Sequence, residues 1–293
     1  MSEAIRVGLV GAGPWASLVH APMLAAGPDT TLEAVWTRRP EAAQKLADRH
    51  GAAVAASTEE LFERCEAVAF AVPPAVQAAL APDAARAGCA LLLEKPIAGD
   101  LAGAEALADA VGESGVASMV VLSWRYASEV RSFLQAAARF EAYGGVGQFL
   151  SAGLLAGPFK TPWRLERGPL LDLGPHVIDL LDAALGTVTG IRASGDLADW
   201  VTLQLEHESG VASSAVLSGT TAVEPHRSGV GLYGPAGVLE VDCNTAVGLD
   251  AFTTLVAEFA ATCRGQVHAL DVHRGLHLQR LLDQAERQLL RSS

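Results

Sequence analysis

Apolar residues along this chain change their pattern about 120 residues in, and the change divides it into two parts. In the first part, short continuous apolar runs alternate with segments where apolar positions recur every three or four residues. Runs of the first kind read as buried strands, and segments of the second kind as helices packed on them. The pattern predicts strands at Ile5–Val10, Leu32–Trp36, Ala53–Ala55, Ala67–Val72 and Ala90–Leu93. Helices are expected over Glu41–His50, Glu59–Cys65 and Ala75–Ala87. Strands and helices alternating at these lengths imply a parallel, doubly wound sheet.

From about Val121 the connections shorten. A helix over Glu129–Ala142 precedes a glycine-bounded strand, Val146–Leu155. Further strands are expected near Val188–Ser194, Asp199–Glu206, Val211–Leu217, Gly229–Tyr233 and Val238–Val241, joined by turns such as Glu208-Ser209-Gly210. Connections that short require mainly antiparallel pairing. Val201, Leu203 and Leu205 alternate with Thr202, Gln204 and Glu206, so one face of this sheet packs inward. Ser213, Ser214 and Ser218 are expected to keep part of the other face small and flat, which suits self-association. Helices at Leu249–Arg264 and about Val272–Leu290 close the chain. The fold class expected is α/β, with a doubly wound domain over residues 1–120 and an α+β domain with a large, mainly antiparallel sheet over residues 121–293.

Composition narrows the partners. Half of the 293 residues are apolar, enough for a sizeable core, and the formal charge is −12 without a basic stripe. This argues against nucleic acid or an anionic membrane as the main partner and leaves a small-molecule substrate. Cys65, Cys89, Cys243 and Cys263 are scattered, with no Cys-x-x-Cys pair. Reduced thiols in a cytoplasmic protein are therefore expected, rather than a disulfide frame or zinc site. The N-terminus enters a strand directly, and no apolar run reaches a spanning length of about 18 residues. His273 and His277 lie four apart on the last helix but lack a third ligand, so no metal site is expected.

One local signal follows the first strand, where Gly11-Ala12-Gly13-Pro14-Trp15-Ala16 leads into a helical pattern. Strand, glycine turn and helix form the context of a dinucleotide site and of a Rossmann sheet. Gly11 permits the tight turn, Gly13 lets the backbone approach a pyrophosphate, and Ala16 stands where a third glycine often stands. The helix start offers free N–H groups to the phosphates. At the tip of the second strand, where a carboxylate would hold a ribose 2′-hydroxyl, the chain has Thr37 followed by Arg38 and Arg39. A hydroxyl and guanidinium groups suit a 2′-phosphate, so NADP(H) is expected over NAD(H), which remains the alternative. Ligands of such sheets sit at the carboxyl ends of strands, where Val72-Pro73 and Glu94-Lys95-Pro96 fall.

A second signal is Asp172-x-Gly-x-His176-x-x-Asp179, set among Leu170, Leu171, Leu173, Val177 and Ile178. Polar side chains embedded in so apolar a segment need partners. The helix is expected to start near Pro175, with Asp172 just before it, and either geometry turns the carboxylates and imidazole toward one cleft. Arg125 (beside Trp124 and Tyr126), Trp163 and Arg164 are candidates for its wall, since an aromatic ring and a guanidinium suit a sugar face or a carboxylate. An imidazole can take the proton of an alcohol while hydride leaves carbon, and a nearby ammonium stabilises the developing alkoxide.

Together, the glycine turn, the strand ending in Val72-Pro73-Pro74, Glu94-Lys95-Pro96 and the Asp172–Asp179 segment resemble the Gfo/Idh/MocA oxidoreductases over nearly the whole chain. The resemblance implies Lys95 between the nicotinamide and the reacting hydroxyl, His176 as general acid/base, and Asp172 positioning the substrate and influencing the histidine. It gives Asp179 a place beside the substrate, His20 a structural place, and the protein a homodimeric or homotetrameric state. Where the family commonly has a histidine after the proline-ended strand, this chain reads Ala75-Val76-Gln77. A glycine run before the Asp/His segment is reduced to Arg167-Gly168-Pro169. The activity expected is a dehydrogenase or reductase acting on a sugar, polyol or similar molecule. The other readings are a catalytically silent NADP(H)-binding regulator, reduction of an imine or enal-like bond, and elimination through a transient ketone.

Overall fold

The computed structural model describes residues 3–292 and forms two compact units. The first contains the chain up to residue 121 together with 252–277, and the second contains 122–251 together with 278 onward. A division into 1–120 and 121–293 does not include this return of 252–277. Two hydrogen bonds to the segment around residues 118–120 hold it. The Val120 N–H donates to the Leu270 carbonyl at 2.7 Å, and the Val272 N–H donates to Ser118 Oγ at 3.1 Å. Such bonds between distant segments leave no trace in local periodicity.

In the first unit the strands are β1 (Ile5–Val10), β2 (Thr30–Trp36), β3 (Ala53–Val54), β4 (Ala67–Phe70), β5 (Ala90–Leu93) and β6 (Ser118–Val120). They form one sheet in the order β3-β2-β1-β4-β5-β6, with every pair parallel. Val7, Leu9, Val68, Phe70, Leu91 and Leu92 are fully buried, because helices cover both faces of a sheet of this kind. A π-helical turn, Ala16–His20, runs into α1 (Ala21–Ala25), followed by α2 (Pro40–His50), α3 (Thr58–Arg64), α4 (Pro74–Arg86) and α5 (Leu101–Ser114). Helices α3 and α5 start on side-chain caps: Ser57 Oγ accepts from the Glu60 N–H at 3.2 Å, and Asp100 Oδ1 from the Gly103 N–H at 2.8 Å. Helix α5 and strand β6 add a last crossover that the apolar pattern did not predict. Strand order reverses between β1 and β4, the switch point beside which ligands of such sheets bind.

The second unit opens with a 3₁₀ turn, Ser123–Tyr126, and α6 (Ser128–Ala137). It continues through β7 (Gly144–Leu150), α7 (Pro162–Leu185), β8 (Val188–Asp196), β9 (Trp200–His207), β10 (Ala212–Ser218), β11 (Arg227–Gly234), β12 (Gly237–Asp242) and the short α8 (Cys243–Ala246). Helices α9 (Leu249–Cys263) and α10 (Val272–Ser292) complete the chain. The second sheet has the order β12-β11-β7-β10-β9-β8. Only β7 and β10 pair in parallel, and the other neighbours are antiparallel. Helix α7 lies against its inner face, with Leu181 and Leu185 over Gly145, and Val177 and Leu181 over Gly147.

Three expectations for this unit are corrected. Helix α6 stops at Ala137 rather than Ala142, and β7 stops at Leu150 rather than Leu155, where turns take over. The serines of β10 do not form a flat outer strip. Ser213 is buried and lies 2.8 Å from His207 Nε2, and Ser218 is buried too, leaving Ser214 half-exposed. The inward set of β10 is Ser213, Ala215 and Leu217, so the alternation there begins one residue from where the serines suggest.

The Asp/His helix also begins upstream of Pro175. Helix α7 is interrupted at Gly168, whose φ of 64° is left-handed, so the segment bearing Asp172 and His176 restarts at Pro169. A Cβ on Gly168 would lie 1.7 Å from the Leu197 carbonyl oxygen, so both the conformation and the close approach require glycine. Pro175 is consequently an interior residue, and Asp172 lies within the helix rather than before it.

Candidate active site

The candidate residues fall into two groups, one in each unit. In the first unit they gather around the carboxyl ends of β1, β4 and β5. The Gly11 N–H still donates to the Trp36 carbonyl at 2.8 Å, and the chain then turns with a Gly11 φ of 121°. A Cβ on Gly11 would stand 2.4 Å from the Ala71 carbonyl oxygen, so a side chain there would force β1 and β4 apart. A Cβ on Gly13 would meet nothing within 4 Å, so the turn leaves open room next to its backbone. Pro14 is exposed, Trp15 half-buried and Ala16 buried, with Ala16 opening the π-helical turn. This strand, glycine turn and helix start fit a dinucleotide pyrophosphate. Val72 is half-buried and Pro73 exposed at the end of β4. Thr37, half-buried, and Arg38 and Arg39, both exposed, follow β2 where the adenosine end of a dinucleotide lies in such folds.

Glu94 joins the glycine-turn helix to the loop that carries Lys95. Its Oε1 accepts from Trp15 Nε1–H at 2.6 Å and lies 2.8 Å from His20 Nε2, while its Oε2 accepts from the Lys95 N–H at 3.2 Å. His20 is fully buried. Gln77, also fully buried, holds the same loop from α4. Its Nε2 donates to the carbonyls of Glu94 and Ile97, each at 2.9 Å, and its Oε1 accepts from the Glu94 N–H at 2.8 Å. The position at which this chain departs from the family histidine therefore fixes the backbone on either side of Lys95 and Pro96. Lys95 itself is half-buried.

In the second unit, α7 carries the other group. Asp172, His176 and Asp179 stand at helical spacings of four and three, so all three share one face, and all are buried. Asp179 accepts from Arg125, whose Nη1 lies 3.1 and 3.0 Å from its two oxygens. Arg164 Nε lies 3.0 Å from Asp172 Oδ2 and its guanidinium is 4.5 Å from the centre of the Trp163 ring. The three wall candidates thus resolve into two ion pairs, Arg125 with Asp179 and Arg164 with Asp172, and one cation–π contact between Arg164 and Trp163. Each carboxylate is balanced by a guanidinium, which offsets the cost of burying its charge.

Trp124, expected only as part of a cleft-wall segment, lies directly against this group. Its ring stacks on the His176 imidazole with centroids 5.2 Å apart and planes 23° apart, and it also stacks on Phe149 at 5.4 Å. Thiol chemistry has no part here. Burial pushes the thiols of Cys65, Cys243 and Cys263 up to about 12 and that of Cys89 to about 11, so none forms a thiolate near neutral pH. Among the described residues no cluster of His, Cys, Asp and Glu could hold a metal ion, and no helix is long and apolar enough to cross a membrane.

The chain is similar to several known proteins. A dTDP-3,4-didehydro-2,6-dideoxy-alpha-D-glucose 3-reductase of Streptomyces violaceoruber is 30% identical over 204 residues, 66% of this chain and 58% of that protein. A D-glucoside 3-dehydrogenase of Escherichia coli (strain K12) is 27% identical over 203 residues, 63% of this chain and 55% of that protein. Each match therefore spans less than two thirds of the relative's own length. The crystal structure of GenD2 from gentamicin A biosynthesis in complex with NAD shares the fold, with a TM-score of 0.88 at 22% identity over 100% of this chain and 96% of that one. Residues 5–122 match the GFO_IDH_MocA model, an oxidoreductase family with an NAD-binding Rossmann fold.

Proposed function

We propose that this protein is an NADP(H)-dependent oxidoreductase that transfers hydride between nicotinamide and a secondary alcohol or ketone of a sugar, polyol or related small molecule. The observation that carries this reading is the single buried face of α7 on which His176 lies with Asp172 and Asp179, each carboxylate paired with an arginine. Support also comes from the two curated relatives, both named for redox chemistry at position 3 of a glucose-type sugar. That position of a hexose ring is the leading candidate for the reacting carbon.

A bound nicotinamide supplies the hydride acceptor in oxidation and the donor in reduction. In oxidation, the His176 imidazole takes the hydroxyl proton, and in reduction the imidazolium returns it to the alkoxide oxygen. The Lys95 ammonium holds the negative charge that gathers on that oxygen, the kind of electrostatic contribution that usually accounts for most of the rate. Glu94 and Gln77 fix the loop bearing Lys95, which keeps that charge in one place. With Arg125 and Arg164 each balanced by a carboxylate, the α7 face suits neutral hydroxyl groups, and Asp172 and Asp179 can accept hydrogen bonds from them.

The cofactor preference rests on Thr37, Arg38 and Arg39, because a carboxylate at the tip of β2 would repel a 2′-phosphate and none stands there. Arg38→Ala is expected to weaken NADPH binding roughly 10- to 100-fold, the loss of a hydrogen bond to a charged group, while NADH binding changes little. Parallel fluorescence titrations of the wild type and the variant with both nucleotides check this. Unchanged NADPH affinity in the variant, or tighter binding of NADH than NADPH by the wild type, would overturn the preference.

A further inference from the structure

We infer that Trp124, backed by Phe149, is a positioning residue that fixes the plane of the His176 imidazole and so confines its nitrogens to that plane. The inference rests on the reading of His176 as the acid/base. A histidine ring turns about its outer side-chain bond with only a broad, roughly two-fold preference, so a ring packed flat against it restricts its plane. Here the indole lies almost parallel to the imidazole, with an interplanar angle of 23°, and Trp124 is only 5% exposed. Phe149 closes the arrangement from β7, with its ring centre 5.4 Å from Trp124 and 6.3 Å from His176.

The turn that carries Trp124 is itself fastened to α7. Arg125, the next residue, is bonded to both oxygens of Asp179, one helical turn beyond His176. Arg131 Nε donates to the Arg125 carbonyl at 3.0 Å and ties the same turn to α6. Indole and imidazole are thus held by two successive contacts between one short turn and one helix. Proton transfer needs the imidazole nitrogen within hydrogen-bond reach of the reacting oxygen and correctly directed, and small misplacements are costly in rate. Trp124 supplies the plane in which that nitrogen must lie.

The test combines histidine ring NMR with kinetics. Histidine-labelled protein is compared as wild type, Trp124→Leu, Trp124→Phe and His176→Asn, the last assigning the His176 signals by their loss. In the wild type and in Trp124→Phe, the His176 ring protons are expected upfield of free histidine as one sharp set, and in Trp124→Leu the displacement is lost. With methyl β-D-glucopyranoside and NADP⁺ as the probe pair, Trp124→Leu is expected to lose roughly 10- to 100-fold in kcat with KM and NADPH affinity near wild type, and Trp124→Phe to recover most of it. A wild-type His176 ring signal at the free-histidine position, or a Trp124→Leu protein with wild-type ring signals or wild-type kcat, would overturn the inference. Full turnover by His176→Asn would instead remove the acid/base reading, and the positioning role with it.

Discussion

His176→Asn is expected to lower turnover roughly 10²- to 10⁴-fold in both directions while NADPH binding stays intact, the range that a positioned general acid/base contributes. Asparagine keeps a planar polar group of smaller size in the same place, so α7 retains its packing and the Arg125–Asp179 and Arg164–Asp172 pairs keep their partners. What is lost is the group that accepts and returns a proton near neutral pH. The wild-type pH–rate profile should therefore show a limb that the variant lacks. Steady-state rates over a range of pH, together with a thermal melt of each protein, check this. A variant with full kcat would place the acid/base elsewhere. A wild type that binds NADPH but turns over no sugar or polyol would favour the silent-regulator reading.

Lys95→Met is expected to lower kcat roughly 10²- to 10³-fold, the cost of removing one donor aimed at a developing oxyanion. Methionine is close to lysine in length and suits a half-buried position, so the substitution removes charge and leaves most of the packing. The loop backbone should not move. Gln77 holds Glu94 and Ile97 through backbone groups, and Glu94 holds Trp15 and His20, none of which involves the Lys95 side chain. Kinetics in both directions, with NADPH affinity measured separately, distinguish lost catalysis from lost binding. A drop confined to NADPH affinity would make Lys95 a cofactor ligand rather than a stabiliser of the alkoxide.

Much of the first unit could be read directly from the sequence, because its signals are local. Ile5–Val10 followed by two glycines is a strand and turn within a dozen residues, and Ala90–Leu93 is an uninterrupted apolar run. Strand β6 escaped notice because three residues carry no period, and α5 because its alanines and glycines blur one. Lys95, Asp172 and His176 stood out by residue type and neighbours, yet their supports did not. Gln77 looked like a missing histidine until its three hydrogen bonds to the Glu94–Ile97 loop appeared. Trp124 looked like a wall residue, since nothing local indicates that its ring lies on His176. Pro175 suggested a helix start because proline favours first turns, but the helix that carries it restarts just after the left-handed Gly168. Local chemistry is visible in the order of residues, whereas support from a distant strand or turn depends on tertiary packing.

The most direct test of the account is to follow the hydrogen itself. The protein is incubated with NADP⁺ and a panel of neutral sugars, polyols and glycosides deuterated at carbon, and the reduced nucleotide is examined by mass spectrometry. The account predicts NADPH carrying one carbon-bound deuterium from at least one neutral sugar or polyol, formed faster than NADH in a parallel reaction with NAD⁺. Binding of neither NADPH nor NADH, or reduced nucleotide formed without deuterium from a fully carbon-deuterated substrate, would contradict it.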